Sequence, residues 1–102
     1  MSYRVAFLPE AEEDLDDIED YLSQFGAFED FVAVLEDRIH ALKEWPLMCP
    51  AYELDSYFRR MVIGDYQLFY SADEKRQLVV IHCIVHQKRD VSRIISTRRS
   101  RE

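Results

Sequence analysis

With 102 residues, 48% of them hydrophobic and 32% charged, the chain is long enough for one domain with a single core and too apolar to be disordered. It contains no apolar run of about 18 residues and no signal-peptide pattern, which predicts a cytoplasmic protein without a membrane partner. The net charge of −7 combines 15 acids and 3 bases in residues 1–55 with 5 acids and 10 bases in residues 56–102, so the two halves should have different partners and only the second suits nucleic acid.

The first half of the chain predicts one strand followed by two helices. Aromatic and β-branched residues predict a strand over Tyr3–Leu8, and Pro9 then fits the first turn of a helix. Apolar residues three and four apart continue that helix to a stop at Gly26: Ala11, Leu15, Ile18 and Leu22. A second stripe predicts a helix from Phe28 to Glu44, and the short link between the two helices predicts an antiparallel hairpin.

The second half changes to an alternating pattern that is typical of strands. The predicted elements are a connector at Met48–Ser56, strands at Tyr57–Ile63, Tyr66–Ala72 and Leu78–Val85, and a short helix after Asp90. Residues 97–102 should be frayed, with Arg98 to Arg101 in a solvated, disordered end. The predicted fold is therefore a single α+β domain over residues 1–102, in which a helical hairpin packs on a mostly antiparallel four-stranded sheet that includes the N-terminal strand.

Four sequence strings occur in a fixed order. Ala11–Leu22 reads A-x-x-[DE]-L-x-x-I-x-x-Y-L, and Leu42 with Pro46 ends the second helix. Phe58–Tyr70 reads [YF]-R-R-x-x-x-G-x-Y-x-x-[FV]-Y, and His86–Asp90 is close to H-x-[RK]-R-D. Together these strings resemble the RelE/ParE toxin superfamily of bacterial type II toxin–antitoxin systems.

The resemblance implies a toxin that inhibits growth, stabilises plasmids and is neutralised by a cognate antitoxin. Members similar to ParE poison DNA gyrase, whereas members similar to RelE are ribosome-dependent mRNA endonucleases. A third hypothesis is an inactive family member that serves as a binding or regulatory module.

Cleavage of RNA through its 2′-OH requires a base, an acid and cations on the phosphate. The resemblance implies that His86 is the acid or base and that Arg59, Arg60 and Arg89 hold the phosphate. A structural alternative for His86 is to end its strand and bond a carbonyl group. A second set of residues is expected to contact the partner or target: Lys88, Arg93, Tyr66, Gln67 and Tyr70.

Two departures from the nuclease pattern favour the ParE branch. Gln67 stands where nuclease members usually carry an arginine, and no tyrosine follows Tyr70. The acidic first half also suits a protein target better than a ribosomal RNA surface. The acidic face of the first helix is predicted to be either solvated or a surface for a cationic partner.

The remaining candidate ligands predict neither a metal nor a cofactor. His82 and His86 should share a strand face but lie about 13 Å apart, too far to bind one ion. Cys49 and Cys83 are expected to be reduced thiols, as is usual in the cytoplasm.

Overall fold

The computed structural model describes residues 2–99, with Arg99 described by its backbone alone. The strands are β1 (Arg4–Phe7), β2 (Ala51–Tyr52), β3 (Asp55–Ile63), β4 (Tyr66–Asp73) and β5 (Leu78–His86). The helices are α1 (Pro9–Leu22), α2 (Phe28–Glu44) and α3 (Ser92–Arg99), with a 3₁₀ turn at Ser23–Phe25. The α+β fold with a helical hairpin and a short C-terminal helix is therefore confirmed. None of the helices within residues 2–99 combines the length and hydropathy needed to cross a membrane.

The sheet has the strand order β1-β5-β4-β3-β2, in which β1 runs parallel to β5 and the other neighbours are antiparallel. The prediction of four strands was wrong by one, because β2 lies in the segment that was predicted to be a connector. A strand of two residues is too short to show an alternating pattern, and it is held mainly by its pairing with β3. Its presence brings residues 50–54 beside the sheet.

Local sequence signals set the bounds of the helical hairpin. Pro9 occupies the first turn of α1, and Gly26 adopts a left-handed φ of 64° after the 3₁₀ turn, a conformation that glycine accepts at little cost. The predicted stripe is turned inward, since Ala11, Ile18 and Leu35 are buried against the sheet. The acidic residues of the opposite face of α1 are exposed: Glu13, Asp16, Asp17 and Asp20.

The two faces of the sheet carry separate apolar clusters. The helical hairpin covers the cluster that contains Met61, Leu68 and Ile84. On the other face, Val91 before α3 and Ile95 within it pack on a second cluster. Its buried members from the sheet are Phe58, Phe69, Cys83 and Val85. The Asp90 carboxylate accepts hydrogen bonds from the amide and hydroxyl of Ser92, the first residue of α3, so it satisfies a backbone donor at the start of this helix.

A β-bulge in β5 changes which side chains share a face. Phe69 pairs with Cys83 but Tyr70 pairs with Ile81, so His82 is an extra residue in the ladder. His82 packs against Phe58 with ring centroids 4.9 Å apart, on the α3 side of the sheet. The prediction that His82 shares a face with His86 was wrong, because the bulge breaks the two-residue alternation on which it depended.

An ion pair between α1 and α3 binds the edge of β5. β1 ends opposite Ile81, and beyond that point side chains bind the backbone of β5. Asp14 Oδ2 accepts the Ile84 N–H at 3.0 Å, and Arg98 Nη1 donates to the His82 carbonyl at 2.7 Å and to Asp14 Oδ2 at 2.6 Å. We call this arrangement the Asp14–Arg98 clamp.

The clamp corrects the prediction of a disordered end from residue 97. Thr97 and Arg98 belong to α3, and the Arg98 side chain is only 15% exposed. Its hydrogen bond to Asp14 raises the pKa of Arg98 despite burial, which keeps the guanidinium charged. The predicted tail residues Ser100 and Arg101 lie outside the described residues.

Removing one partner of the clamp should destabilise the fold strongly. Asp14→Ala leaves Arg98 without its counterion and the Ile84 N–H without its acceptor, and we expect a loss of about 3 kcal/mol in the free energy of unfolding. The exposed neighbour provides a control, because Asp16→Ala should change stability by less than about 0.5 kcal/mol. Urea unfolding measures the free energy of unfolding of both variants. Equal values for the two would contradict the stabilising role of the clamp.

The buried thiol of Cys83 should make stability depend on pH. Burial, followed by the nearby Asp14 charge, raises the pKa of Cys83 to about 12, whereas an unfolded cysteine titrates near 8.5. The Cys83 thiol binds its proton more tightly in the folded state than in the unfolded state. Its contribution to the free energy of unfolding is therefore complete below the unfolded pKa and is lost as the pH rises toward the folded pKa. Between about pH 8 and 10, we expect a loss of about 2 kcal/mol.

Urea midpoints at these two pH values measure the effect in the native chain and in Cys83→Ala. The variant starts from a lower stability but should show a smaller decrease with pH. An equally steep decrease in both proteins would mean that other groups, such as the buried tyrosines, carry the pH dependence.

Candidate functional site

Three of the predicted site residues line a cleft of about 430 Å³ on the α3 side of the sheet. They are Arg60 from β3, Gln67 from β4 and Arg89 from the turn after β5. We call this space the α3-side cleft. Further lining residues include Tyr52, Glu53, Leu54, Gln87, Asp90 and Val91, several of which come from or adjoin the short strand β2.

A hydrogen-bond chain fixes Arg60 in this cleft. Arg60 Nε donates to Gln67 Oε1 at 2.7 Å, and Gln67 Nε2 donates to the His86 carbonyl at 3.4 Å. Because Gln67 is only 4% exposed, its side-chain amide orients Arg60 and offers little surface for contact with a partner. Because Nε of Arg60 is engaged, its two terminal nitrogens remain as the donors that can reach an anionic group in the cleft.

The charge in the α3-side cleft is mixed. Arg60 and Arg89 are accompanied there by Glu53 and Asp90. Hydrogen bonds from the backbone and side chain of Ser92 lower the pKa of Asp90, so this carboxylate is charged at neutral pH. The cleft is therefore suited to a partner that offers both acidic and basic groups, such as a folded protein, better than to a bare polyphosphate chain.

Arg59 lies on the opposite side of the sheet from Arg60. Its Nη1 donates to the Cys49 carbonyl at 2.6 Å, and Cys49 packs against the cluster under the helical hairpin. Consecutive residues of a strand point to opposite faces, so the two arginines cannot serve one site from this strand. In this structure Arg59 ties the segment before β2 to the sheet instead of joining Arg60 at a phosphate.

His86 is exposed and also lies away from the Arg60 side of the sheet. It pairs across the ladder with Tyr66, and their ring centroids are 5.6 Å apart. It lines a groove of about 180 Å³ with Asp17, Tyr21 and Arg89, here called the His86 groove. Arg89 borders both spaces, whereas the side chains of His86 and Arg60 are divided by the sheet.

The backbone limits what the His86 ring can do. His86 Nδ1 accepts the Lys88 N–H at 3.1 Å, so in the neutral ring the proton belongs on Nε2. In this arrangement Nε2 can donate a proton or hydrogen bond, but it has no lone pair to act as a base. The structural alternative for His86 holds in part, because His86 is the last residue of β5, but the ring contact is with the Lys88 amide and not with a carbonyl group.

The other predicted contact residues divide into buried and exposed groups. Tyr70 is fully buried, its hydroxyl accepts the Cys49 N–H at 3.3 Å, and burial raises its pKa. It supports the core, and a target could not reach it in this structure. Tyr66 is 9% exposed and packs on Phe31, and burial, then Tyr21 and Asp65, raise its pKa. Lys88 and Arg93 are exposed and open to a partner.

Sequence reasoning missed Gln87, Asp90 and Leu54 as cleft residues. Gln87 Nε2 donates to the Gly64 carbonyl at 2.7 Å, which joins the turn after β5 to the β3–β4 turn. No local pattern indicates this contact, because the two residues are 23 positions apart in the chain. Within residues 2–99, no three His, Cys, Asp or Glu side chains lie close enough together to bind a metal.

Comparison with known families finds one match over most of the chain. Residues 5–91 match the model of a family described as the ParE toxin of type II toxin–antitoxin systems, parDE. No curated protein sequence is significantly similar to the chain.

Solved structures with a similar fold include two toxin–antitoxin complexes and one free toxin. The RelBE2 complex from Mycobacterium tuberculosis has a chain that is 26% identical, with a TM-score of 0.62 over 85% of this chain and 100% of that one. A mutant of E. coli RelE in the free state is 13% identical, with a TM-score of 0.68 over 99% and 98%. The archaeal RelE–RelB complex from Pyrococcus horikoshii OT3 is 20% identical, with a TM-score of 0.53 over 88% and 100%. The last two likenesses show the fold alone.

The ring of neutral His86 should be the tautomer with its proton on Nε2. The hydrogen bond from the Lys88 amide to Nδ1 stabilises that form. Long-range ¹H–¹⁵N NMR spectra above pH 8 distinguish the two tautomers by their nitrogen shifts, with His40, on the exposed side of α2, as an internal comparison. A dominant Nδ1–H form of His86 would contradict the assigned contact.

Proposed function

Because the chain belongs to the ParE toxin family of type II toxin–antitoxin systems, we propose that this toxin inhibits DNA gyrase and is neutralised by a cognate antitoxin. Inhibition of gyrase would arrest growth and would stabilise a plasmid that encodes the pair. The proposed site of action is the cytoplasm, where gyrase works.

The observation that supports gyrase inhibition is the separation of the candidate nuclease groups. RNA cleavage requires the acid–base group and the phosphate-binding cations to meet at one phosphodiester. His86 and Arg60 point to opposite sides of the sheet, and Arg59 bonds the Cys49 carbonyl. Inhibition by binding requires no such assembly.

The proposed surface for the target surrounds the α3-side cleft. Arg60 and Arg89 lie in it, and Lys88 and Arg93 are exposed on the adjoining turn and helix. The mixed charge of the cleft favours a protein target, since Glu53 and Asp90 would oppose the approach of a nucleic-acid backbone.

An mRNA endonuclease is the second candidate, and a specific observation favours it. Arg60 and Arg89 share one cleft, and the 26% identical chain comes from a RelBE2 toxin–antitoxin complex. For this activity the end of β5 that carries His86 would have to rearrange so that the imidazole ring reaches the cleft. An inactive binding module is the third candidate, and it predicts neither activity.

Purified protein should inhibit ATP-dependent supercoiling of relaxed plasmid by gyrase. Arg89→Ala should raise the concentration for half-inhibition about tenfold or more, because a charge-assisted hydrogen bond to the target is lost. Arg76→Ala, in the exposed β4–β5 turn, is the matched control and should change it less than about twofold.

Primer extension on an mRNA translated in a cell-free system tests the second candidate, the mRNA endonuclease. The proposal predicts intact mRNA in the presence of the protein. New cuts that require ribosomes and disappear in His86→Ala would establish the endonuclease instead. Unchanged supercoiling together with intact mRNA would contradict both activities and would support the third candidate, the inactive binding module.

A further inference from the structure

The two arginines of the α3-side cleft have no counterion within the part of the chain that the structure describes. Arg60 and Arg89 both line the cleft, and within residues 2–99 no carboxylate lies within ion-pair distance of either guanidinium. Arg60 is half-buried, and its Nη1 and Nη2 make no hydrogen bond to these residues. Two guanidinium groups that share a concave space in this way can receive an anion there.

Two acidic residues also line the cleft, but neither acts as that anion. Asp90 Oδ1 accepts the amide and hydroxyl of Ser92 at 3.1 and 2.9 Å. Glu53 is exposed between β2 and β3. Both carboxylates therefore leave the arginines open, and they also limit how much negative charge an occupant of the cleft can bring.

The charges around the cleft are balanced in the same way. Lys88 and Arg93 are exposed on the adjoining turn and helix, whereas Asp55 begins β3 and Asp65 lies in the β3–β4 turn. The net charge of −7 adds a long-range repulsion that grows with the negative charge of the occupant. These surroundings favour an occupant with one negative charge over a polyanion.

Apolar groups border the arginines. Tyr52 and Leu54 line the cleft, and Leu54 is 73% exposed. The space of about 430 Å³ is in the range of pockets that hold a small ligand or a few side chains. A carboxylate that projects from an apolar segment would place its charge at the arginines and its neighbours on Tyr52 and Leu54.

Hydrogen bonds fix both arginines for this contact. Gln67 Oε1 accepts Arg60 Nε at 2.7 Å, which leaves the Nη1–Nη2 edge of the guanidinium for a bidentate contact with two carboxylate oxygens. The turn that carries Arg89 is held by Gln87, which donates to the Gly64 carbonyl at 2.7 Å and to the Asp65 carbonyl at 2.9 Å.

We propose that Arg60 and Arg89 bind one carboxylate side chain, an aspartate or glutamate flanked by apolar residues, on the surface of the target protein. Gln67 is the positioning residue that orients Arg60 for this contact. The assignment of the carboxylate to gyrase rests on the proposed function, whereas its chemistry rests on the cleft. A phosphate is the competing anion, and the test is designed to separate the two.

The probes are three peptides that differ at one position: acetyl-Leu-Glu-Leu-amide, the same peptide with glutamine, and the same peptide with phosphoserine. Glutamine has the shape of glutamate without its charge, and phosphoserine carries about two negative charges at neutral pH. NMR titration of the full chain follows the Nε–H signal of Arg60. The glutamate peptide should bind about tenfold tighter than the glutamine peptide, and the phosphoserine peptide should bind no tighter than the glutamate peptide.

Single substitutions localise the binding. Arg60→Ala and Arg89→Ala should each weaken the glutamate peptide about tenfold, because each removes charge-assisted hydrogen bonds. Arg76→Ala removes the same charge from the exposed β4–β5 turn and should change the affinity less than about twofold. Circular dichroism verifies that the variants are folded, and Arg89 is itself exposed.

The role of Gln67 is tested in two backgrounds. Gln67→Leu removes the acceptor for Arg60 Nε, and it should weaken the glutamate peptide about threefold and shift the Arg60 Nε–H signal in the free protein. In an Arg60→Ala background the same substitution should have no effect on binding. Equal weakening in both backgrounds would mean that Gln67 supports only the structure of the sheet.

Three results would overturn the carboxylate site. They are equal affinity for the glutamate and glutamine peptides, tighter binding of the phosphoserine peptide, and no binding of the glutamate peptide at concentrations on the order of 10 mM. The supercoiling assay contains no peptide, so it tests the proposed function separately. A chain that inhibits gyrase without a preference for the glutamate peptide would keep the proposed function and lose this inference. A chain that prefers the glutamate peptide but does not inhibit gyrase would keep the carboxylate site and lose its assignment to gyrase.

Discussion

The structure depends on how the edge of β5 that β1 leaves uncovered is hydrogen-bonded. β1 covers only the first part of β5, and the Asp14–Arg98 clamp binds the backbone of His82 and Ile84 where β1 stops. One carboxylate and one guanidinium thus continue the hydrogen bonding of a strand at the edge of the sheet. Because Asp14 belongs to α1 and Arg98 to α3, the same contact joins the layers on the two faces, and each charge compensates the burial of the other.

The parts of the fold that the sequence predicted are those with a local signal. The apolar spacing from Ala11 to Leu22 and the turn residues Gly64 and Asp65 are patterns that a short stretch of sequence contains. The positions of α1 and of the β3–β4 hairpin were therefore predicted well. The clamp joins residues 84 positions apart, and no periodicity in either segment indicates it. The bulge at His82 is set by strand pairing, and the strand β2 by a neighbour, so neither had a pattern to find.

The same distinction applies to the candidate site. Strand alternation is a local rule, and it is enough to place Arg59 and Arg60 on opposite faces, as the structure has them. It could not predict that Gln67 would orient Arg60, or that the turn after β5 would bring Arg89 to the cleft, since these positions depend on how separate strands are aligned. A family string such as Phe58–Tyr70 gives the order of residues but not which of them face one space.

The parallel pairing of β1 with β5 has a consequence for the order in which the chain can fold during synthesis. Arg4 pairs with Leu78, so the first strand must wait for most of the chain to leave the ribosome before its partner exists. The α1–α2 hairpin, by contrast, is complete once residue 44 has emerged. A nascent chain therefore exposes the apolar stripes of α1 and α2, which pack on the sheet in the finished fold, until β3, β4 and β5 have been synthesised.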